Sequence, residues 1–101
     1  MDVRIRLSGI GKERFVFTID DAAKALETAG IDISGERYGL EAVRDGMNVE
    51  LEHGTRFPDL DVSGNDPVLT VKIALAHLRE FPDYYERLEV MESEAEAAWQ
   101  E

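Results

Sequence analysis

The stretch "DPVLTVKIALAHLREFP", residues 66–82, contains the clearest helix signals of the chain. Asp66 followed by Pro67 is typical of an N-cap and the first helical residue. Pro82 removes a backbone donor and clashes with the turn before it, so the helix should end at about Phe81. The stretch therefore predicts a helix at the centre of the fold.

One face of this helix should be buried. Helical periodicity places Leu69, Ile73 and Ala76 on a single apolar stripe. Glu80 continues that stripe, and His77 lies about 60° from Glu80 around the helix axis. We therefore expect an imidazole and a carboxylate close to the core.

The helix before it ends near "VELEHG", residues 49–54. We expect it to run from about residue 36 to His53, with Gly54 as its stop. Its apolar stripe consists of Leu40, Val43, Met47 and Leu51. Glu50 falls within about 60° of the centre of that stripe, and His53 lies on the same flank.

Two further helices are predicted on either side. "DDAAKALETAG", residues 20–30, follows two candidate caps, Thr18 and Asp20, and ends at Gly30, which suits a left-handed stop. A last helix follows Pro82. Its apolar stripe consists of Tyr84, Leu88, Met91, Ala95 and Trp99.

The first residues favour strands. Apolar and charged residues alternate over residues 3–7, residues 14–19 are rich in strand formers, and "SGIGKE" separates the two runs. We therefore expect an α+β fold: an N-terminal β-hairpin over residues 1–19, followed by a mainly helical bundle of three to four helices over residues 20–98. The whole chain, residues 1–101, should form one domain.

The composition excludes several classes of protein. The 101 residues include 22 acidic residues against 11 Lys or Arg, a formal net charge of −11. Direct nucleic acid binding needs clustered Lys and Arg and is not expected. The absence of cysteine excludes disulfides and thiolate zinc sites. No apolar run is long enough for a membrane span and "MDVRIRLSG" is not a signal peptide, so we expect a cytoplasmic protein.

Two Glu and His pairs share the three-residue spacing that places both side chains on one side of a helix. A carboxylate near a core must be paired, protonated or bound to a metal, because an isolated buried charge is costly. Glu and neutral imidazole suit iron, manganese and zinc. The candidate ligands of a transition-metal site between the two helices are Glu50, His53, His77 and Glu80.

Helical di-iron carboxylate proteins build their sites from Glu-x-x-His pairs on facing helices. One chain here supplies about half of such a ligand set, so a two-fold dimer would complete it. If the metal is iron, ferroxidase-type oxidation or iron handling would follow. The alternative is a polar network without metal, in which the glutamates pair with the histidines or with Arg44, Arg79 or Arg87.

Two other functions stay open. The acidic, lysine-poor surface fits plain solubility or a salt-rich cytoplasm. It also fits a non-enzymatic module that binds a basic protein, including a phage- or host-defence-related protein that imitates the charge of DNA. The segment "DLDVSGND", residues 59–66, matches the first positions of a calcium loop through Asp59, Asp61, Ser63 and Gly64. Thr70 stands where that pattern needs a glutamate, so a turn followed by a helix cap is the better interpretation.

Three stretches resemble a small uncharacterised family found in bacterial, archaeal and phage genomes: "FTIDDAAKALETAGID", "GMNVELEHG" and "NDPVLTVKIALAHLREFPDYYERLEVME". Together they cover about three-quarters of the chain, between residues 17 and 92. The resemblance implies a shared helical fold and no established activity. The hairpin through Val16 is additional to the family pattern.

The Glu-x-x-His and His-x-x-Glu helices are also similar, more remotely, to the two-helix members of the ferritin-like superfamily such as encapsulated ferritins. That likeness implies that Glu50 and His53 are the Glu-x-x-His ligands and that Glu80 is the bridging glutamate. The order differs from that pattern, because the Glu-x-x-His helix comes first in this chain.

Overall fold

A computed structural model describes residues 16–99. This part of the chain is helical, with four α-helices and one short 3₁₀ helix. The elements are α1 (Ile19–Ala29), α2 (Leu40–Arg56), the 3₁₀ helix (Pro58–Leu60), α3 (Pro67–Glu80) and α4 (Tyr84–Ala98).

The predicted α+β fold is wrong for the described residues, because no strand is found among residues 16–99. Of the predicted second strand, residues 14–19, residues 16–18 are irregular and lead into α1, while residues 14 and 15 lie outside the described residues. Phe17 donates its backbone N–H to Asn48 Oδ1 at 2.7 Å, and Asn48 Nδ2 donates to the Phe17 carbonyl at 3.0 Å. A side-chain amide of α2 thus pairs with both backbone polar groups of Phe17. The predicted first strand, residues 3–7, lies outside the described residues.

Local capping explains why a helix replaces the end of the predicted strand. The Thr18 hydroxyl accepts the Asp21 N–H, and the Asp21 carboxylate accepts the Thr18 N–H, which together form a capping box. Gly30 ends α1 in the left-handed conformation at φ 73°, as predicted. Reciprocal capping of this kind stabilises α1 by about 1 kcal/mol.

Helix α3 begins as its sequence predicts. The Asp66 carboxylate accepts the N–H groups of Val68 and Leu69, and Pro67 opens the first turn. The helix ends before Pro82. The prediction of a turn followed by a helix cap is also confirmed, because Asp61 Oδ1 accepts the N–H of Gly64 at 2.8 Å within the preceding loop.

Gly54 does not end α2, contrary to the sequence prediction, since α2 continues to Arg56. Instead, Gly54 allows the Asp61 side chain to lie close to α2. A Cβ at Gly54 would lie 2.5 Å from Asp61 Oδ1, so any other residue at this position would have to displace the Asp61 carboxylate.

Helices α1, α2 and α3 enclose the hydrophobic core, and α4 contributes no fully buried residue. The stripe predicted on α2 is confirmed, because Val43, Met47 and Leu51 are buried. The buried side chains are Phe17, Ala22, Ala25, Leu26, Val43, Met47, Leu51, Val71, Ala74, Leu75 and Leu78.

The stripe predicted on α3 is wrong. Leu69 is 46% exposed and Ala76 is exposed, whereas Val71, Ala74, Leu75 and Leu78 face the core. Helix α3 is apolar on almost every side, so periodicity alone does not select the buried face. The rotation of α3 relative to the prediction decides where its polar residues lie.

Helix α4 lies outside this core, and every residue from 93 to 99 is exposed. Within the predicted α4 stripe, Leu88 is half-buried but Met91 is 53% and Trp99 84% exposed. In residues 16–99, no helix is long and apolar enough to cross a membrane.

Candidate functional site

The Tyr85 side chain, at the start of α4, packs against α2. The break at Pro82 lets the chain reverse and begin α4 at Tyr84, with the next side chain directed at α2. The Tyr85 ring lies against Gly46, where a Cβ would come within 2.5 Å of the ring atom Cε2. Gly46 therefore forms the socket for the ring, which is why a glycine occupies the interior of α2 despite its low helix propensity.

Glu50 lies one turn further along the same face of α2 and accepts a hydrogen bond from the Tyr85 hydroxyl. Tyr85 donates to Glu50 Oε2 at 2.7 Å. His77 Nδ1, on α3, lies 3.0 Å from the same carboxylate oxygen and 3.1 Å from the Tyr85 hydroxyl. We call Glu50, His77, Tyr84 and Tyr85 the Tyr–His–Glu cluster; it joins α2, α3 and α4.

Aromatic packing shields this cluster. The His77 ring stacks on Tyr84 at 4.2 Å between centroids, with an interplanar angle of 2°. Tyr85 meets both rings edge-on. The Glu50 side chain is 14% exposed and that of His77 is 32% exposed. The carboxylate is thus largely removed from water and depends on hydrogen bonds from the cluster.

The cluster favours protonated tyrosines. Burial, the hydrogen bond to Glu50 and the nearby negative charge together raise the pKa of Tyr85 far above its ordinary value. Burial, followed by the charges of Glu50, Glu80 and Glu92, also raises the pKa of Tyr84. Both phenols therefore remain neutral at physiological pH, and Tyr85 acts as a hydrogen-bond donor.

The structure brings together two of the four predicted ligands. Glu50 and His77 meet in the Tyr–His–Glu cluster. His53 lies elsewhere, with Nε2 3.2 Å from Oε2 of Glu92 on α4. Glu80 is exposed at the end of α3, because α3 turns a different face to the core from the predicted one.

In the part of the chain that the structure describes, no group of three or more His, Asp or Glu side chains is placed to hold a metal ion. Oε2 of Glu50 is already engaged by the Tyr85 hydroxyl. Within one chain, the Glu50 and His77 pair is therefore a two-ligand arrangement, and metal binding stays a prediction.

Beside the cluster, α2 and α4 flank an open groove with a volume of about 900 Å³. We call it the α2–α4 groove. Its apolar lining includes Val49 on α2 and Leu88 on α4, with the half-exposed Val16 and Phe57. Its lining residues within 16–99 are Val16, Asp45, Asn48, Val49, Glu52, His53, Arg56, Phe57, Tyr85, Glu86, Leu88, Glu89, Glu92, Ser93, Ala95 and Glu96.

The α2–α4 groove is strongly acidic. Among the described residues that line it, six are Asp or Glu and one, Arg56, is Lys or Arg. The Arg56 guanidinium lies over the Phe57 ring, 5.7 Å from its centroid. Among residues 16–99, no Lys, Arg or His forms an ion pair with Glu86, Glu89 or Glu96. The groove thus presents carboxylates beside apolar side chains.

The sequence analysis did not identify the role of Gly46 or the hydrogen bond made by Tyr85. The sequence does contain a signal for this contact. Gly46 precedes Glu50 by four residues, so the two lie on the same face of a helix and the glycine leaves space beside the carboxylate. That combination leaves room for a hydrogen-bond donor from a neighbouring element.

Comparison with known proteins identifies a family. The family model described as "Protein of unknown function (DUF5661)" matches residues 22–94, which include most of α1, all of α2 and α3, and α4 up to Glu94. No curated protein and no solved structure matches the chain. These comparisons give no support to the likeness with ferritin-like proteins.

Proposed function

The chain belongs to the DUF5661 family, whose function is unknown, and we propose that it is a non-enzymatic interaction module that binds a basic protein partner. The observation that carries the proposal is the α2–α4 groove, in which carboxylates surround apolar side chains. Three of them, Glu86, Glu89 and Glu96, form no ion pair with any Lys, Arg or His among residues 16–99. Surfaces of this kind attract partners of opposite charge and raise the rate at which they associate.

The charge distribution supports this proposal. Residues 16–99 contain seven Lys or Arg and nineteen Asp or Glu, a balance of −12 with histidine neutral. Helix α4 alone carries five glutamates against one arginine, and it contributes no buried side chain to the core. The glutamates of α4 are thus not part of the packed core, which supports a role for them in recognition.

The test is a titration of the full chain with a labelled peptide rich in Lys and Arg, followed by fluorescence anisotropy. We expect saturable binding whose affinity falls at least about tenfold between low salt and about 0.3 M salt. At the higher salt concentration, screening limits the interaction between exposed charges to distances below about 10 Å. The control is a peptide of equal length with Gln at every Lys and Arg position. Absence of binding at low salt, or equal binding of the control, would contradict the proposal.

Transition-metal binding is a second proposal, favoured by the approach of His77 Nδ1 to Glu50 Oε2 at 3.0 Å. A two-fold dimer that brought two such pairs together would supply four ligands for iron, manganese or zinc. Each metal is offered to untagged protein, and the bound metal is then measured by elemental analysis. Stoichiometric metal that is lost in His77→Ala but retained in the matched variant His53→Ala would support this site. A metal-free parent protein would exclude it.

A further inference from the structure

The two helices that flank the α2–α4 groove are long enough to contact another helix along several turns. Helices α2 and α4 contain 17 and 15 residues. At about 1.5 Å per residue, each is long enough to contact about four turns of a third helix lying between them. Val49, Tyr85 and Leu88 line the groove without closing it, and Phe57, also on the lining, is 50% exposed.

The acidic lining of the groove favours one class of binding partner over the others. A second copy of this chain would bring two acidic linings together around a two-fold axis, and like charges in contact are costly. A neutral apolar segment would leave Glu86, Glu89 and Glu96 without partners in a desolvated interface. A partner that carries Lys or Arg beside an apolar stripe satisfies both the carboxylates and the apolar lining.

The secondary structure favours a helix over an extended peptide. One common mode by which an extended peptide binds is addition to the edge of a sheet, and residues 16–99 contain no strand to which one could add. A groove between two helices accepts an amphipathic helix through side chains at the first, fourth, fifth and eighth positions.

We infer that the α2–α4 groove binds a basic amphipathic helix of a protein partner. The partner's apolar stripe packs on Val49, Tyr85 and Leu88, and its Lys and Arg side chains pair with Glu86, Glu89 and Glu96. The inference rests on the proposed function and specifies the surface and the shape of the partner.

The probe is a synthetic peptide of about 16 residues with leucines at helical spacing and Lys or Arg elsewhere, called the striped peptide. A scrambled peptide has the same composition but no stripe. We expect the striped peptide to bind at least about tenfold more tightly than the scrambled one. Equal affinity would overturn the inference but leave the proposed function intact, whereas failure of both peptides to bind would remove both.

Charge reversal on the protein locates the site. Glu89→Lys combined with Glu96→Lys changes two exposed groove residues, and Glu27→Lys combined with Glu94→Lys makes the same change in net charge at exposed positions outside the groove. We expect the first variant to weaken binding of the striped peptide by at least about tenfold and the second by less than about threefold. Equal losses in the two variants would overturn the assignment to the groove.

Two further outcomes would assign the groove to another occupant and overturn the inference. One is a dimer in analytical ultracentrifugation that the groove variant dissociates and the control variant does not. The other is an increase of about tenfold or more in affinity for the striped peptide in Arg4→Glu combined with Arg6→Glu, because the chain's own basic residues would then be competing for the site.

Discussion

Gly46 on α2 and Tyr85 on α4 are in direct contact, because a Cβ added to Gly46 would lie 2.5 Å from Cε2 of the Tyr85 ring. The ring is held in that position by its hydroxyl, which donates to Glu50 at 2.7 Å. A short packing distance and a hydrogen bond to a shielded carboxylate thus fix α4, which contributes no buried residue to the core.

Gly46→Ala should destabilise the protein by about 1 kcal/mol. Overpacking costs about 1–3 kcal/mol, and the better helix propensity of alanine offsets about 1 kcal/mol of that cost. Urea unfolding followed by circular dichroism measures the change in the free energy of unfolding.

The control for that prediction is Gly46→Ala in a Tyr85→Ala background. With the ring absent, the methyl group has space, so the same substitution should stabilise the helix by up to about 1 kcal/mol. A change of sign between the two backgrounds identifies the contact. An equal effect in both would show that the Tyr85 ring does not set the requirement for glycine.

Tyr85→Phe should lower the free energy of unfolding by about 2 kcal/mol, because it removes a hydrogen bond to a charged acceptor that is shielded from water. The matched control is Tyr84→Phe. Tyr84 stacks on His77 through its ring, and stacking survives the loss of the hydroxyl. The control should stay within about 0.5 kcal/mol of the parent protein. Losses of equal size in the two variants would contradict the assigned hydrogen bond.

Stability should fall at alkaline pH. The pKa of Tyr38, Tyr84 and Tyr85 is raised in the folded protein, chiefly by burial. Unfolded tyrosines ionise near pH 10, so above that pH the unfolded state holds fewer protons than the native state. The stabilisation is therefore complete below about pH 10 and is lost as the pH rises through the folded pKa values.

Urea unfolding at a series of pH values, with tyrosinate absorbance recorded in parallel, measures this dependence. Tyr85→Phe should reduce the alkaline loss of stability, since the most strongly shifted phenol is then absent. Native tyrosines that all ionise near pH 10 without loss of stability would contradict the cluster.

Thr18→Ala should cost about 1 kcal/mol through loss of the capping box at the start of α1. Thr18→Ser keeps the hydroxyl and serves as the control, with a smaller effect. Thermal unfolding of both variants compares them. If alanine and serine had the same effect, the hydroxyl would not be capping a helix at this position.

The helices could be predicted from the sequence where side chains at their ends determine them. Asp66 with Pro67 marks the start of α3, and Gly30 marks the end of α1. The strand predicted over "RFVFTI" is not formed at residues 16–19, because the Thr18 capping box and Asn48 provide backbone hydrogen bonds there. Propensity describes a segment alone, and these partners are set by the tertiary structure.

The site was only partly predictable for a related reason. Glu50 was placed near the core correctly, since α2 has a narrow apolar stripe that fixes its rotation. The apolar residues of α3 lie on most sides of the helix, so the rotation of α3 about its axis depends on packing. Glu80 is therefore exposed and does not lie near the core as predicted. His53 forms its contact with Glu92 on α4. The direction of α4 depends on the chain reversal at Pro82, and residue spacing alone does not predict that direction.

The most direct measurement follows the backbone amide chemical shifts of the isotope-labelled full chain during titration with the striped peptide. The account predicts that the shifts concentrate on α2 and α4, including Val49, Leu88 and Glu89, while Lys24 on α1 and Lys72 on α3 stay unchanged. Shifts that spread evenly over all four helices, or that concentrate on α1 and α3, would contradict a binding groove between α2 and α4.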